Sequence, residues 1–152
     1  MTLEHDMQAV ARHPTLAALE PEALRALISS AETQNLRMGE VLFRRNDPSD
    51  SGFLILSGTI AVDPAEGGHA ARILHRGTLL GDMALITKTK RPATATALEP
   101  TSVLKITRAL FRRILDQHPR SAQRLHRTIA ERLQSFTQEL DDVRRLALEP
   151  DE

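Results

Sequence analysis

The chain has 152 residues, and its 20 Lys and Arg balance its 20 Asp and Glu. Neutrality excludes a generally basic nucleic-acid binder, and the length suits one domain with a single core. No apolar run approaches the ~18 residues of a membrane span, and the N-terminus lacks the regions of a signal peptide. Because Cys is absent, disulfides and Cys-ligated metals are excluded, so we expect a soluble cytoplasmic protein without a membrane partner.

Residues 1–31 are predicted to form an N-terminal helical segment. Its apolar residues form two groups with helical spacing: Met7, Val10 and Ala11, then Leu24, Leu27 and Ile28. His13-Pro14 ends the first group. Pro21 stands between two acids, which is typical of the first turn of a second helix.

Over residues 32–107 the sequence pattern changes to short runs of alternating apolar and polar residues or of β-branched residues. Gly, Pro, Asn and Asp separate these runs. Candidate strands cover residues 33–37, 41–44, 52–56, 59–63, 70–75, 93–98 and 102–106. Short strands at intervals of roughly ten residues indicate a barrel or roll rather than alternating strands and helices. We therefore predict an α+β fold, in which a β-roll or jelly-roll barrel is flanked by N-terminal helices and a long C-terminal helix.

Residues 108–148 are predicted to be helical, with 149–152 as a tail. Thr107 can cap a helix over 108–117, and His118-Pro119 breaks it. The next helix would extend about 40 Å at ~1.5 Å per residue. Its apolar residues are three and four positions apart, which is typical of a packed seam: Ala122, Leu125, Ile129, Leu133, Phe136, Leu140, Val143 and Ala147.

This seam predicts two contacts along the long helix. We expect residues 122–133 to pack on the barrel and residues 136–147 to meet a second subunit, which gives a homodimer through the C-terminal helix. Seven Arg lie between residues 108 and 132. We interpret these Arg residues as a solvated or partner-binding face and not as a DNA-binding surface. The 44 residues after Arg108 are all assigned to two helices, so we expect no DNA-binding domain.

Patterns typical of enzymes are missing from the sequence. It has no P-loop, no nucleophile elbow and no His-Glu-x-x-His, and its six His show no metal-ligand spacing. We therefore expect no catalytic residues, no metal and no cofactor.

One segment interrupts the strand pattern. Gly81 is followed by good helix formers to residue 87 and then by the basic stretch Lys88-Thr89-Lys90-Arg91. A Gly before a helical turn offers unpaired N–H groups to a phosphate, and an Arg on the next strand can bind the same anion. An ordinary Gly turn beside a solvated basic loop would give the same pattern.

The order of several motifs points to a known family. Gly81-Asp82-Met83-Ala84-Leu85-Ile86 with Arg91-Pro92-Ala93-Thr94-Ala95 resembles the phosphate-binding cassette of cyclic nucleotide-binding domains. That pattern is Gly-Glu-hydrophobic-Ala-Leu, then Arg-x-Ala-Thr or Ser. Upstream runs follow the family's order as well: Gly39-Glu40-Val41-Leu42-Phe43, Asn46-Asp47, Asp50, Phe53-Leu54-Ile55, Ser57-Gly58-Thr59-Ile60 and Val62. The resemblance covers about residues 14 to 147 and implies a β-roll that binds a cyclic nucleotide.

The resemblance also implies roles for individual residues. Arg91 would neutralise the cyclic phosphate, and the backbone N–H groups of Met83 and Ala84 would help to hold it. Asp82 would accept a hydrogen bond from the ribose 2′-hydroxyl. Further ligand-binding positions would be Gly81, Pro92, Ala93, Val62, Ala71 and Leu74. The long helix would close over the base, with the lid candidates Leu125, Ile129, Arg132 and Leu133.

Three positions depart from the family pattern. Asn46 replaces a usual Gly, and we expect it to tolerate positive φ. Asp82 is one methylene shorter than Glu, and Pro92 offers neither an N–H nor a hydroxyl to a ligand. Each lost contact would cost ~1–2 kcal/mol. In the family a hydroxyl at this position is associated with guanine preference, so the resemblance implies cAMP rather than cGMP as the ligand.

Two functions follow from these observations. The first is a regulatory module that binds cAMP or a related cyclic nucleotide and signals to an unidentified effector by moving its C-terminal helices. The alternative is a degenerate family member that binds no cyclic nucleotide and serves as a dimerisation or protein-interaction module.

Overall fold

The structure, a computed structural model, describes residues 13–64 and 71–148. The side chains of Pro14, Arg132 and residues 135–148 lie outside that description. The helical stripe expected around Met7 also lies outside the described residues.

Four α-helices flank the strands in the described part of the chain: α1 (Pro14–Ala17), α2 (Pro21–Ser30), α3 (Arg108–Gln117) and α4 (Pro119–Leu148). Helix α2 begins at Pro21 and buries Leu24, Leu27 and Ile28, as the sequence predicts. Thr107 caps α3, because its Oγ1 accepts a hydrogen bond from the Leu110 N–H at 3.0 Å. The expected break between the last two helices is confirmed at His118.

The strands within the described ranges form three antiparallel sheets. They are β1 (Glu32–Leu36), β2 (Val41–Phe43), β3 (Pro48–Ser49), β4 (Ser51–Ser57), β5 (Ile60–Asp63), β6 (Arg72–Leu74), β7 (Leu79–Leu80), β8 (Thr89–Lys90), β9 (Thr94–Ala97) and β10 (Thr101–Thr107). One sheet has the order β1-β10-β4-β7, the second has β2-β9-β5-β6, and β3 pairs with β8. The α+β fold with a β-roll and flanking helices is therefore confirmed.

The three shortest strands, β3, β7 and β8, were not predicted. Each has two residues. Strands are predicted from the alternation of apolar and polar residues, and a strand of two residues is too short to repeat that alternation. Such a strand is recognised only from its pairing with another strand. The pairing of β3 with β8 matters most, because these strands form part of the candidate site.

The core lies on both faces of the sheet that contains β4 and β10. Phe53, Ile55 and Val103 pack toward the second sheet, within one buried cluster. Leu54 and Leu104 belong to a second cluster, which also contains Phe111 and Ile114 of α3 and Leu125 of α4. Neighbouring residues of a strand point to opposite faces, so this sheet separates the interior of the roll from the helices.

Among the residues of helix α4 whose side chains are described, those in its first part attach the helix to the domain. Ser121 Oγ accepts a hydrogen bond from the Glu20 N–H at 2.8 Å, which joins the start of α4 to α2. Leu125 is buried and Ile129 half-buried, but Leu133 is 61% exposed. The expected packing of Leu133 on the barrel is therefore wrong, because this side chain is mostly exposed and is not part of the described core. The predicted intersubunit positions 136–147 have side chains outside the description. None of the described helices is long and apolar enough to cross a membrane.

Candidate functional site

A cavity of about 260 Å³ opens between the second sheet, the β3-β8 pair and a short helix. That helix is a single 3₁₀ turn, Asp82–Leu85. The cavity is lined by Phe43, Ser49, Val62, Leu80, Gly81, Asp82, Met83, Ala84, Thr89, Lys90, Arg91, Pro92 and Ala93. Most of the motif residues singled out from the sequence therefore meet in one place.

Gly81 gives the chain the turn that places the 3₁₀ helix beside the cavity. Its φ of 73° lies in the left-handed region, which favours Gly. The Ala84 N–H donates to Gly81 O at 3.0 Å, so this amide already has a partner. Ala84 and Leu85 are buried, whereas Met83 is exposed at the cavity wall.

Arg91 is the buried cation of the cavity, with 5% of its surface exposed. Its Nη2 donates to Ser51 O at 2.7 Å and lies 3.5 Å from Ser51 Oγ. Its guanidinium carbon lies 4.3 Å from the ring centre of Phe43 and 5.5 Å from that of Phe53. Among the described residues, no carboxylate forms an ion pair with this guanidinium.

The surroundings of Arg91 oppose its positive charge. Burial lowers the pKa of Arg91 because desolvation disfavours the charged form, and the like charge of Arg108 lowers it further. Asp50 and Asp47 act in the opposite direction, which raises the pKa. The guanidinium stays protonated, since arginine does not lose its proton in proteins. An anion in the cavity would therefore stabilise a charge that has no direct carboxylate partner in the described part of the chain.

Backbone hydrogen bonds hold Arg91 at the end of β8. Its N–H donates to Asp47 O at 2.8 Å, and its carbonyl oxygen accepts from the Asn46 N–H at 2.8 Å. Asn46 has a φ of 72°, so the expected positive φ at this position is confirmed. The turn between β2 and β3 thus fixes the backbone from which the guanidinium extends.

Asp82 faces two parts of the structure. It lines the cavity, and its Oδ2 lies 3.7 Å from Nε2 of His13. His13 is the N-cap residue of α1, where its Nδ1 accepts a hydrogen bond from the Thr15 N–H at 3.3 Å. The carboxylate expected at the ribose is therefore in contact with the N-terminal helices.

The remaining pocket and lid candidates are spread over several places. Val62, Pro92 and Ala93 line the cavity. Leu74 packs against the interior cluster and Ala71 is exposed, and neither is part of the cavity wall. Leu125 and Ile129 line a second groove of about 210 Å³ together with Leu85 and Ile86, at the other end of the 3₁₀ helix. Leu133 is exposed, and the side chain of Arg132 lies outside the description.

Sequence reasoning missed four residues that shape this site: Phe43, Ser51, His13 and Arg108. Phe43 is one of only four Phe in a chain without Tyr or Trp, so its place before a polar turn was a usable signal. The other three act across long sequence separations and have no local pattern. No group of three His, Asp or Glu in the described ranges could hold a metal ion.

The fold and the cavity together define a β-roll domain in which a buried Arg lines a cavity beside a short helix. A family model described as "Cyclic nucleotide-binding domain" matches residues 33–118, more than half of the chain. The chain belongs to the cyclic nucleotide-binding domain family.

Several known proteins are similar to this chain. A cyclic nucleotide-binding-like protein from Brucella abortus is 36% identical with a TM-score of 0.68, over 74% of this chain and 98% of that one. The N-terminal domain of a transcriptional regulator from Streptomyces coelicolor is 26% identical with a TM-score of 0.79, over 87% and 94%. Lysophospholipase nte1 of Neurospora crassa is 29% identical over 136 residues, which are 88% of this chain and 9% of the relative. The chain thus spans less than a tenth of the curated relatives first matched.

Proposed function

We propose that the chain is a regulatory module that binds cAMP in the cavity beside Arg91, without catalysing a reaction. The observation that carries this proposal is the buried guanidinium, which lines the cavity and has no carboxylate partner among the described residues. A cyclic phosphate carries a single negative charge, which matches one guanidinium. The charge-assisted hydrogen bonds of such a pair are among the stronger ones available in a protein.

The other cavity residues support the same ligand. Asp82 is an acceptor on the wall for a sugar hydroxyl, and Val62 and Leu80 offer apolar surface. Pro92 presents no hydroxyl, and this favours cAMP over cGMP. The ligand would signal through the C-terminal helices, because the 3₁₀ helix lies between the cavity and the groove that α3 and α4 line.

Calorimetric titration tests the proposal directly. The wild-type chain is titrated with cAMP and with cGMP, and the Arg91→Ala variant with cAMP. We expect saturable cAMP binding that weakens at least about a hundredfold in Arg91→Ala, because truncation removes the charge that pairs with the phosphate. Arg37→Ala is the matched control, since Arg37 is exposed and is not part of the cavity wall. Equal affinity of Arg91→Ala and wild type would overturn the assignment of Arg91.

The alternative function, a module that binds no cyclic nucleotide, is favoured by two observations at the same site. Pro92 lacks a backbone N–H at the cavity wall. Asp82 is already in contact with His13. The absence of heat and of a melting shift with every cyclic nucleotide tried would support this alternative.

We propose further that the chain forms a homodimer through residues 136–147 of α4 and acts in the cytoplasm on an effector protein. The apolar spacing of the helix supports the dimer, because positions three and four apart form one face. The exposed Leu133 precedes that part of the seam.

A further inference from the structure

Arg108 joins two walls of the cavity from outside it. It is the first residue of α3, and its Nε donates to Ala84 O at 2.8 Å. Its Nη2 donates to Thr87 O at 3.1 Å and also to Ser49 O. One guanidinium therefore holds three backbone carbonyl groups, and we call this set of contacts the Arg108 clasp.

The three carbonyl groups come from two segments of the chain, each of which contributes a residue to the cavity wall. Ala84 lies in the 3₁₀ helix and Thr87 just beyond it. Ser49 lies in β3, where its hydroxyl donates to Thr89 O of β8 at 2.7 Å. Both Ala84 and Ser49 line the cavity. The distance between these walls therefore depends on the side chain that bridges them.

The backbone of Arg108 is fixed as well. Its N–H donates to Asp50 O at 2.7 Å, in the residue between β3 and β4. The start of α3 is thus attached to the β3 side by its backbone and to the 3₁₀ helix by its side chain. A movement of the 3₁₀ helix must either shift the start of α3 or break the clasp.

We propose that Arg108 is a positioning residue that sets the width of the anion site by clasping the 3₁₀ helix to β3. The inference rests on the proposed function in so far as the anion is a cyclic phosphate. The role needs a guanidinium, because its planar fork presents several N–H groups in fixed directions. A Lys ammonium is a compact point charge and cannot span the same three acceptors.

Hydrogen exchange of the ligand-free chain tests the clasp without any nucleotide. The N–H groups of Ile86 and Thr87 both donate to Met83 O, at 3.1 and 3.0 Å, and they lie within the clasped segment. In Arg108→Gln we expect these two amides to exchange at least about tenfold faster, while amides of β4 and β10 keep their rates. Arg108→Lys keeps the charge but not the fork, so its exchange rates should fall between those of wild type and Arg108→Gln. Arg113→Gln is the matched control, since Arg113 is an exposed Arg of the same helix.

Titration with cAMP provides a second readout. Arg108→Gln should bind cAMP about tenfold more weakly than wild type, and Arg113→Gln should stay within about twofold. If wild type binds no cyclic nucleotide, the proposed function fails while the exchange rates still decide whether the clasp exists. Unchanged exchange at Ile86 and Thr87 in Arg108→Gln, or acceleration spread equally over β4 and β10, overturns the proposal. If Arg108→Gln does not fold, the comparison of Arg108→Lys with wild type decides instead.

Discussion

The guanidinium of Arg91 packs directly against Gly81, so that a Cβ added to this glycine would collide with Nη1 of the arginine. Gly81 also has a φ of 73°, which disfavours any side chain. In Gly81→Ala we expect a loss of stability beyond the ~1–2 kcal/mol of a left-handed alanine, together with weaker cAMP binding, because Arg91 is displaced. Denaturant unfolding and calorimetry measure the two effects.

Gly39→Ala is the matched control for this prediction. Gly39 has a φ of 84°, but a Cβ there would meet nothing within 4 Å. The Gly39→Ala variant should therefore lose only the stability that an alanine in a left-handed conformation costs, and its affinity for cAMP should stay unchanged. If the two variants lose the same stability and bind cAMP equally, the contact between Gly81 and Arg91 has no importance for the site.

The contact between His13 and Asp82 is expected to contribute little to stability. Both side chains are about a quarter exposed, at 24% and 26%, and their separation of 3.7 Å is long. Pairs of this kind are worth ~0–1 kcal/mol. In His13→Asn, which keeps an N-cap side chain for α1, we expect unchanged unfolding and a cAMP affinity within about fivefold of wild type. Complete loss of binding in His13→Asn would show that the N-terminal helices are part of the ligand site.

Ser121 is expected to be important for the attachment of α4. Its side chain is fully buried, and its Oγ is the acceptor for the Glu20 N–H. Ser121→Ala leaves that N–H without its partner, so the free energy of unfolding should fall by ~1–3 kcal/mol. Urea denaturation measures the change, and Ser30→Ala at the exposed end of α2 serves as the control. A Ser121→Ala variant as stable as wild type would mean that water replaces the hydroxyl.

The proposed dimer is tested by a charge in the apolar seam. Phe136→Glu and Leu140→Glu should convert a dimer into a monomer, because a carboxylate in an apolar interface loses its hydration. Multi-angle light scattering gives the mass, and circular dichroism checks that the roll stays folded. Gln134→Glu adds the same charge at an exposed position and should leave the dimer intact. A wild-type chain that is monomeric at micromolar concentration contradicts this prediction.

The sequence predicted the part of the candidate site whose residues are close together in the chain. Gly81, Asp82, Arg91 and Ala93 fall within one short segment, and the structure places them around one cavity. The positive φ of Asn46 was predictable for the same local reason. Contacts that join distant segments were not predictable, and Arg108 with Ala84 is the clearest example. A single sequence records which residues alternate or repeat, but it does not record which distant carbonyl a side chain will reach.

The spacing of the apolar residues in α4 predicts which side chains face inward, but it does not predict what they contact. Its period correctly places Leu125 and Ile129 on an inward face. Periodicity does not say which part of the domain that face meets, and the two residues line the groove beyond Leu85 instead of the cavity beside Arg91. The exposure of Leu133 likewise depends on where the core ends, which only the folded arrangement determines.

The burial of Arg91 has a consequence for the rate and salt dependence of ligand capture. Folding has already stripped this guanidinium of most of its water and set it between Phe43 and Ser51. A phosphate that binds here would shed its own hydration shell, but it would meet a cation that folding has already largely dehydrated. Screening by salt is also weaker for a buried charge than for one on the surface. Capture should consequently remain effective at ionic strengths that abolish attraction to exposed arginines.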